Sequence, residues 1–281
     1  MPRIDLHLHT TFSDGTHSPT EVVHFAHDAG VTTLAITDHD TVEGIPESLS
    51  AGNSLGIEII PGIELSSRFE GREIHILGYL FDWKNATLLD RLTKQRASRE
   101  QRNPLVVEKL NELGLELSYE EVKTKAGAGS VGRPHIAEVL VEKAYVKTTK
   151  EAFDRYIADG RPAHIVRELP DSSEAITWIR DAGGVPVLAH PHWTKQKGAE
   201  LHTTCHKLKK AGLMGIEVFY STHTRRQTSE YLEVARKIGL IITGGSDFHG
   251  TAKPGIQVGR GKGNLKVTDK LLEPLRKAVS N

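Results

Sequence analysis

The chain has 281 residues, with 36 Lys plus Arg against 36 Asp plus Glu and a single cysteine, Cys205. That length holds one large α/β domain or two smaller ones. Zero formal charge excludes gripping a long polyanion by bulk electrostatics, so no DNA duplex is expected as a partner, although a local basic cleft remains open. The lone cysteine excludes an internal disulfide, a Cys-rich zinc knuckle and a CxxC redox pair. No apolar run approaches the roughly 18 residues of a membrane span, and the first nine residues, ending Ile4-Asp5-Leu6-His7-Leu8-His9, carry no signal-peptide pattern, so a cytoplasmic protein is expected. Fifteen histidines against one cysteine point to a metal site built of imidazole and carboxylate.

In chain order, residues 4–9 alternate with the period of a strand, and residues 19–29 read as a helix with Ser18 or Thr20 at its start and Gly30 at its end. A strand over 33–37, a helix over 45–55 and a strand over 57–65 follow. Glu70-Gly71 marks a turn into a strand over 73–80, a connection too short for a crossover helix, so these two strands form a hairpin. Residues 86–162 are mostly helical, over 88–113, 119–125, 135–143 and 150–157, broken by Gly114, the Gly127-Ala128-Gly129 stretch and Gly160. Strand–helix alternation then resumes: strands over 184–189, 216–220 and 240–243, and helices over 172–182, 205–211, 231–238 and 270–279. The reading is an α/β fold of about seven strands, barrel-like, over 1–85 and 163–281, with a helical insertion over 86–162. An open doubly wound sheet is the alternative.

Polar residues collect at the predicted strand ends, the face that carries ligands and catalysts in α/β folds. His7 and His9 are two apart on a strand and leave the same face, while Leu6 and Leu8 leave the other. Two imidazoles so placed can chelate a metal, or they are simply two histidines at a strand end. Asp14, in Ser13-Asp14-Gly15-Thr16, reads alone as a turn residue. His39 lies in Thr37-Asp38-His39-Asp40 and ends the second strand, and Glu64 ends the third. His75 lies within an apolar strand, where a lone histidine is usually a satisfied core residue. His190 ends the fifth strand in Ala189-His190-Pro191. Asp247 and His249 end the seventh in Ser246-Asp247-Phe248-His249-Gly250, repeating the two-apart spacing. Burying nine such groups without a cation is costly. One metal takes four to six ligands, so the set predicts two or three divalent ions sharing carboxylates, with manganese, iron or zinc favoured over magnesium or calcium.

This ordered series resembles the polymerase-and-histidinol-phosphatase family of metallophosphoesterases, the PHP domain, over nearly the whole chain outside the insertion. The resemblance implies a distorted seven-stranded (βα) barrel with a trinuclear centre. It implies a first metal on His7, His9, Glu64 and Asp247. Glu64 would bridge to a second on His75 and His190, and Asp14, His39 and His249 would hold a third. Arg102-Asn103-Pro104 before a helix, Gly132-Arg133-Pro134-His135 opening another and Gly160-Arg161-Pro162 returning to the barrel look like a bacterial branch. That branch includes 3′,5′-nucleoside bisphosphate phosphatases that also trim short 5′-phosphorylated RNA. It implies hydrolysis of the 3′-phosphate, leaving a 5′-monophosphate.

Cations of this kind lower the pKa of a bound water toward neutrality and clamp phosphoryl oxygens. His249 or His192 is a candidate proton donor to the leaving oxygen, with His192 equally readable as a solvated loop histidine. Arg133 in the first turn of a helix, with His135, makes a phosphate site. Arg102 and Asn103 are further candidates, against the plain reading of Arg91, Arg96, Arg99 and Arg102 as a solvated charged face. Ser221 and His223 either touch base or ribose or belong to a polar loop. Gly259-Arg260-Gly261-Lys262-Gly263 is glycine-rich but lacks the spacing and context of a P-loop. The expected partner is a small nucleotide or short RNA. A histidinol or sugar phosphate as substrate, and a non-catalytic metal-bound module, are the alternatives.

Overall fold

The computed structural model describes residues 3–127 and 129–279, so Ala128 of the glycine stretch lies outside the described residues, as do residues 1, 2, 280 and 281. Seven strands form one sheet in sequence order: β1 (Arg3–Leu8), β2 (Val31–Ile36), β3 (Glu58–Phe69), β4 (Arg72–Tyr79), β5 (Val185–Leu188), β6 (Gly215–Tyr220) and β7 (Ile241–Gly245). Neighbours are parallel except at β4, which runs antiparallel to both β3 and β5. The chain just past β7 returns to β1: Asp247 N–H donates to the His7 carbonyl at 2.8 Å and His9 N–H to the Phe248 carbonyl at 3.0 Å. Sequential order with this return makes a nearly closed, distorted barrel and rules out the doubly wound alternative, whose strand order reverses at a switch point.

The β3–β4 hairpin forms as the short connection predicts, but Glu64 does not end its strand. β3 is 12 residues long and continues to Phe69. Its first part, Glu58 to Pro61, pairs in parallel with β2, and from Gly62 onward it pairs with β4. Pro61 is tolerated at this hand-over, where one partner ends and the next begins. Gly62 is required there, because a Cβ would lie 2.6 Å from the Ile36 carbonyl oxygen.

Helices α1 (Pro19–Asp28) and α2 (Ile45–Leu55) cover β1 to β3 through Val22, Val23, Ala26, Leu34 and Ile36. The Ser18–Glu21 capping box starts α1. Helix α3 is 27 residues long (Ala86–Glu112) and contains Pro104. Arg102-Asn103-Pro104 therefore lies inside a helix, not before one. The proline forgoes one backbone bond but does not end the helix. Leu88 and Leu92 of α3 join the barrel's core, whereas Val106, Val107 and Leu110 join a separate apolar cluster with Ile136, Leu140 and Ile157. That second cluster is built by α4 (Tyr119–Ala126), α5 (Arg133–Glu142), α6 (Thr149–Ala152) and a wide turn over Phe153–Ile157. Helices α7 (Ser172–Asp181), α8 (Gly198–Lys210) and α9 (Arg225–Ile238) pack on β4 to β7, and α10 (Leu272–Val279) closes the far end with Leu272 and Leu275. Among the described residues no helix is long and apolar enough to cross a membrane.

One glycine fixes the closure. A Cβ on Gly245 would stand 2.4 Å from His7 N and His7 Cβ. Gly245→Ala is expected to push β1 from β7, lowering stability by roughly 1–3 kcal/mol as core overpacking does, and to weaken metal binding through the displaced His7. A thermal melt and a metal titration of the variant check this.

Candidate metal centre and its cavity

All nine histidines and carboxylates singled out as ligands converge at one end of the barrel. Glu64 occupies the middle: its Oε2 lies 3.1 Å from His7 Nε2, 3.1 Å from His9 Nε2 and 3.4 Å from His39 Nδ1. Its Oε1 lies 2.9 Å from His75 Nδ1 and 2.8 Å from His190 Nε2. Asp247 Oδ1 is 3.5 Å from His7 Nε2 and 3.3 Å from His9 Nε2. Asp14 is 3.3 Å from His249 Nε2 and 3.9 Å from His39 Nε2. Three groups of ligand atoms lie close enough for an ion each: His7, His9, Glu64 and Asp247; His9, Asp14, His39 and His249; and His39, Glu64 and His75. His39 thus stands beside Glu64 as well as beside Asp14.

The donor chemistry fits divalent cations. His9 Nε2 and His39 Nδ1 are buried with no hydrogen-bond partner, although both face Glu64. Outer groups fix which nitrogen each ring presents. His7 Nδ1 donates to Glu217 at 2.9 Å, leaving Nε2 for the centre, and the other Glu217 oxygen accepts His190 N–H at 2.7 Å. His249 Nδ1 donates to the Asp247 carbonyl at 2.9 Å. Asp247 Oδ2 is held by Tyr220 OH at 2.6 Å and Lys253 Nζ at 2.5 Å, which turns Oδ1 inward. Asp38 accepts from Thr10 N–H at 2.7 Å and Ser13 Oγ at 2.5 Å and so shapes the loop that carries Asp14.

The electrostatics follow from this crowding. Burial alone would raise Glu64, Asp14 and Asp247, but the surrounding imidazoles, and Lys253 at Asp247, hold all three carboxyls well below their usual range. Burial alone would lower His9 and His75, yet the carboxylates beside them bring both up to about 9. His39, farther from the acids, is pushed down to about 3 by burial. Protons on His9 and His75 thus balance the carboxylates when no metal does so.

A cavity of about 740 Å³ opens over this floor. Arg99 and Arg102 of α3, Arg133 of α5 and Arg167 form a cationic wall, joined by Lys253 and Lys262. Burial and the guanidiniums of Arg133, Arg99 and Arg167 push Arg102 down to about 8, as expected of a cation cluster without its anion. Arg133 is paired with Glu73 at 3.0 Å and Asp159 at 3.3 Å. Ser221 lines the cavity, but its hydroxyl donates to the Ser246 carbonyl at 2.5 Å.

Other predicted contacts fall behind the walls. Asn103 is fully buried and accepts from Arg102 at 3.1 and 2.7 Å while donating to the Val131 carbonyl at 2.7 Å, so it positions the arginine. His135 Nδ1 accepts Gly132 N–H at 3.0 Å at the start of α5. His223 Nδ1 donates to the Val218 carbonyl at 2.9 Å, which makes its Nε2 the acceptor for His192 Nδ1 at 3.0 Å. Burial and the neighbouring His223 lower His192 to about 3. His249 has Nδ1 on the Asp247 carbonyl and Nε2 3.3 Å from Asp14.

Several members of the site escape sequence reasoning. Arg99 reads as part of a charged helix face, yet it is buried and donates to Asp40 at 2.5 Å. Arg167 reaches the same carboxylate at 3.2 Å, and Asp40 holds it from a left-handed backbone conformation, φ 54°. Glu217 had one available signal, a lone carboxylate in the apolar run Ile216-Glu217-Val218. Lys262 reaches the cavity without any P-loop.

With the geometry in place, comparison with known proteins is informative. The PHP domain model matches residues 5–184. The chain belongs to the PHP family. It is 38% identical over 247 residues to a 5′-3′ exoribonuclease of Haemophilus influenzae, covering 88% of this chain and 90% of that one. It is 30% identical over 260 residues to a 3′,5′-nucleoside bisphosphate phosphatase of Chromobacterium violaceum, covering 92% and 91%. A Bifidobacterium adolescentis structure provisionally assigned as a metal-dependent phosphoesterase superposes with a TM-score of 0.88 at 29% identity, over 99% of this chain and 96% of that one. This PHP protein is a metal-dependent hydrolase of phosphate esters.

Two outcomes test the electrostatics. Because His9 and His75 titrate near 9 without metal and bind metal only as neutral imidazoles, manganese binding at pH 7 is expected to release protons. Affinity should climb as pH rises through neutral toward the values of His9 and His75. Calorimetry in two buffers of different ionisation enthalpy reads the release, and its absence would overturn the assignment. Asp40 is held well below the usual carboxylate range because Arg167 and Arg99 outweigh its burial. Its contribution is therefore present above the ordinary carboxylate pKa of about 4 and fades as pH falls further. Asp40→Asn should cost roughly 3–5 kcal/mol at neutral pH, as loss of one partner from a buried pair does. In denaturant melts the gap to the parent should narrow below about pH 4.

Proposed function

We propose that this PHP phosphoesterase removes the 3′-phosphate from nucleoside 3′,5′-bisphosphates such as adenosine 3′,5′-bisphosphate, leaving the 5′-monophosphate, and trims short 5′-phosphorylated RNA from the 5′ end. The observation that carries the reading is the pairing, in one cavity, of a metal-ligand floor with a wall of four arginines. A substrate with two phosphates at opposite ends of a nucleoside uses both. A histidinol or sugar monophosphate uses only the floor and leaves Arg102 and Arg133 without a ligand. The names of the Haemophilus and Chromobacterium relatives support the same choice.

In this reading His7, His9, Glu64 and Asp247 hold one ion, Glu64 with His75 and His190 a second, and Asp14, His39 and His249 a third, with manganese the favoured metal. When bound, these cations supply an activated water and neutralise the phosphoryl oxygens. The chain's own residues do the rest. Arg102, fixed by Asn103, and Arg133 at the start of α5 grip the 5′-phosphate by charge-assisted hydrogen bonds. Residues 86–162 serve as the substrate-binding insertion, since α3 and α5 deliver both groups. Glu217 and the Asp247 carbonyl keep His7 and His249 in the tautomers that face the floor.

The test is phosphate release from adenosine 3′,5′-bisphosphate by metal-stripped protein with manganese restored, beside histidinol phosphate and a 5′-phosphorylated dinucleotide. Manganese-dependent turnover of the bisphosphate with little on histidinol phosphate is expected. Arg102→Ala and Arg133→Ala should each raise KM for the bisphosphate roughly ten- to a hundredfold, the value of a charged hydrogen bond. Equal turnover of histidinol phosphate, unaffected by either variant, would overturn it.

A further inference from the structure

A second groove, of about 590 Å³, lies beside the catalytic cavity and shares two of its walls, Pro254 and Ile256. The loop that separates the two begins at Gly250, directly after His249. The groove carries an aromatic cluster. The His17 ring lies nearly parallel to Phe248, at an interplanar angle of 14°, and Phe25 of α1 packs edge-on against both, at 4.9 and 6.1 Å between centroids. Phe25 is nonetheless 38% exposed, on the outer side of a helix whose Val22, Val23 and Ala26 are buried. It is an apolar ring held rigid at the surface by two others. Arg260 lines the same groove, is exposed and makes no ion pair among the described residues. The one lining carboxylate, Asp28, is exposed and lies 3.3 Å from His27.

Rigid aromatic faces beside an unpaired guanidinium are how sequence-tolerant single-strand sites hold bases and backbone. We propose that this groove binds the nucleotides downstream of the one being removed: the exposed Phe25 ring, braced edge-on by His17, stacks a base, and Arg260 meets a backbone phosphate. The inference rests on the RNA reading above and adds the path of the strand. With the 5′-phosphate on the arginine wall and the first internucleotide phosphate at the metal floor, the strand leaves past His249 and over the Pro254–Ile256 rim. Continuity with the catalytic cavity and the exposed Arg260 guanidinium, which makes no ion pair among the described residues, select a nucleic acid over an apolar peptide as occupant.

The experiment compares binding of 5′-phosphorylated, phosphorothioate-linked dimers and pentamers of ribonucleotide to manganese-loaded protein by fluorescence anisotropy. Phe25→Ala and Arg260→Glu are the variants, and both residues lie outside the catalytic machinery. The pentamer should bind the parent more tightly than the dimer, and the double variant should lose about tenfold for the pentamer, the order of one stacked base. KM and kcat for adenosine 3′,5′-bisphosphate should not change. A pentamer that binds the parent no better than the dimer, or binds the double variant equally well, would overturn the groove. Failure of the RNA reading is seen separately, as hydrolysis of the bisphosphate without release of mononucleotide from an unmodified pentamer. A parent that shows this but still discriminates the pentamer through Phe25 and Arg260 retains the groove as an RNA-binding site.

Discussion

A single carboxylate sets the terms for the rest of the molecule. Glu64 is 1% exposed and lies within 3.4 Å of five imidazoles, those of His7, His9, His39, His75 and His190. A carboxylate cannot be buried uncompensated, and five imidazoles crowded on two oxygens cannot all be satisfied by neutral hydrogen bonds. Compensation must come from cations, either protons on the rings or metal ions between them. The barrel's geometry follows from bringing these groups together. β3 must pass the centre and change partner there, β4 must run antiparallel to deliver His75 beside Glu64, and β7 must approach β1 closely enough to place Asp247 against His7.

That centre was legible in the sequence because its signals are local. His7 and His9, or Asp247 and His249, are two apart, and strand periodicity alone puts each pair on one face. Arg102 and Arg133 of the arginine wall were candidates from the sequence, but Arg99 and Arg167 were not legible, because their partner is distant in sequence. Arg99 meets Asp40 across 59 residues and Arg167 meets it across 127. Nothing within a helical turn of Arg99 distinguishes it from Arg91 and Arg96, which stay partly exposed and pair with Asp181 and Glu43, and only docking of α3 on the barrel buries it. The end of β3 was misplaced for a related reason. Its continuation from Leu65 to Phe69 is fixed by β4, whose pairing is a tertiary fact.

Helix α3 joins two apolar clusters that otherwise share little. Its first half is anchored by Leu88 and Leu92 in the barrel core and its last third by Val106, Val107 and Leu110 in the helical cluster. Between those anchors sit Arg99, Arg102 and Asn103, all buried. Charged groups in the buried middle of a helix require partners, and here Asp40 and Asn103 provide them. The helix therefore holds its cations rigid at the seam between the two cores, where the cavity opens.

In the proposed function, the same logic lets a chain with no net charge recognise a doubly anionic substrate. Positive and negative groups are segregated within one cavity, with carboxylates and imidazoles on the floor and guanidiniums on the wall. Asp40 and Glu73 lie at the boundary. Asp40 keeps Arg99 and Arg167 oriented, and Glu73 lies 3.0 Å from Arg133 and 3.5 Å from His75. An incoming phosphate must compete with Glu73 for Arg133, which lowers affinity for any single anion. In the proposed reading, a ligand that also reached the floor would gain from both ends at once, and anchoring there would favour the pose in which Arg133 is contested. On that reading, discrimination between one phosphate and two arises from spacing, with no need for a strongly basic surface. This is consistent with balanced composition outside the cavity and concentrated charge within it.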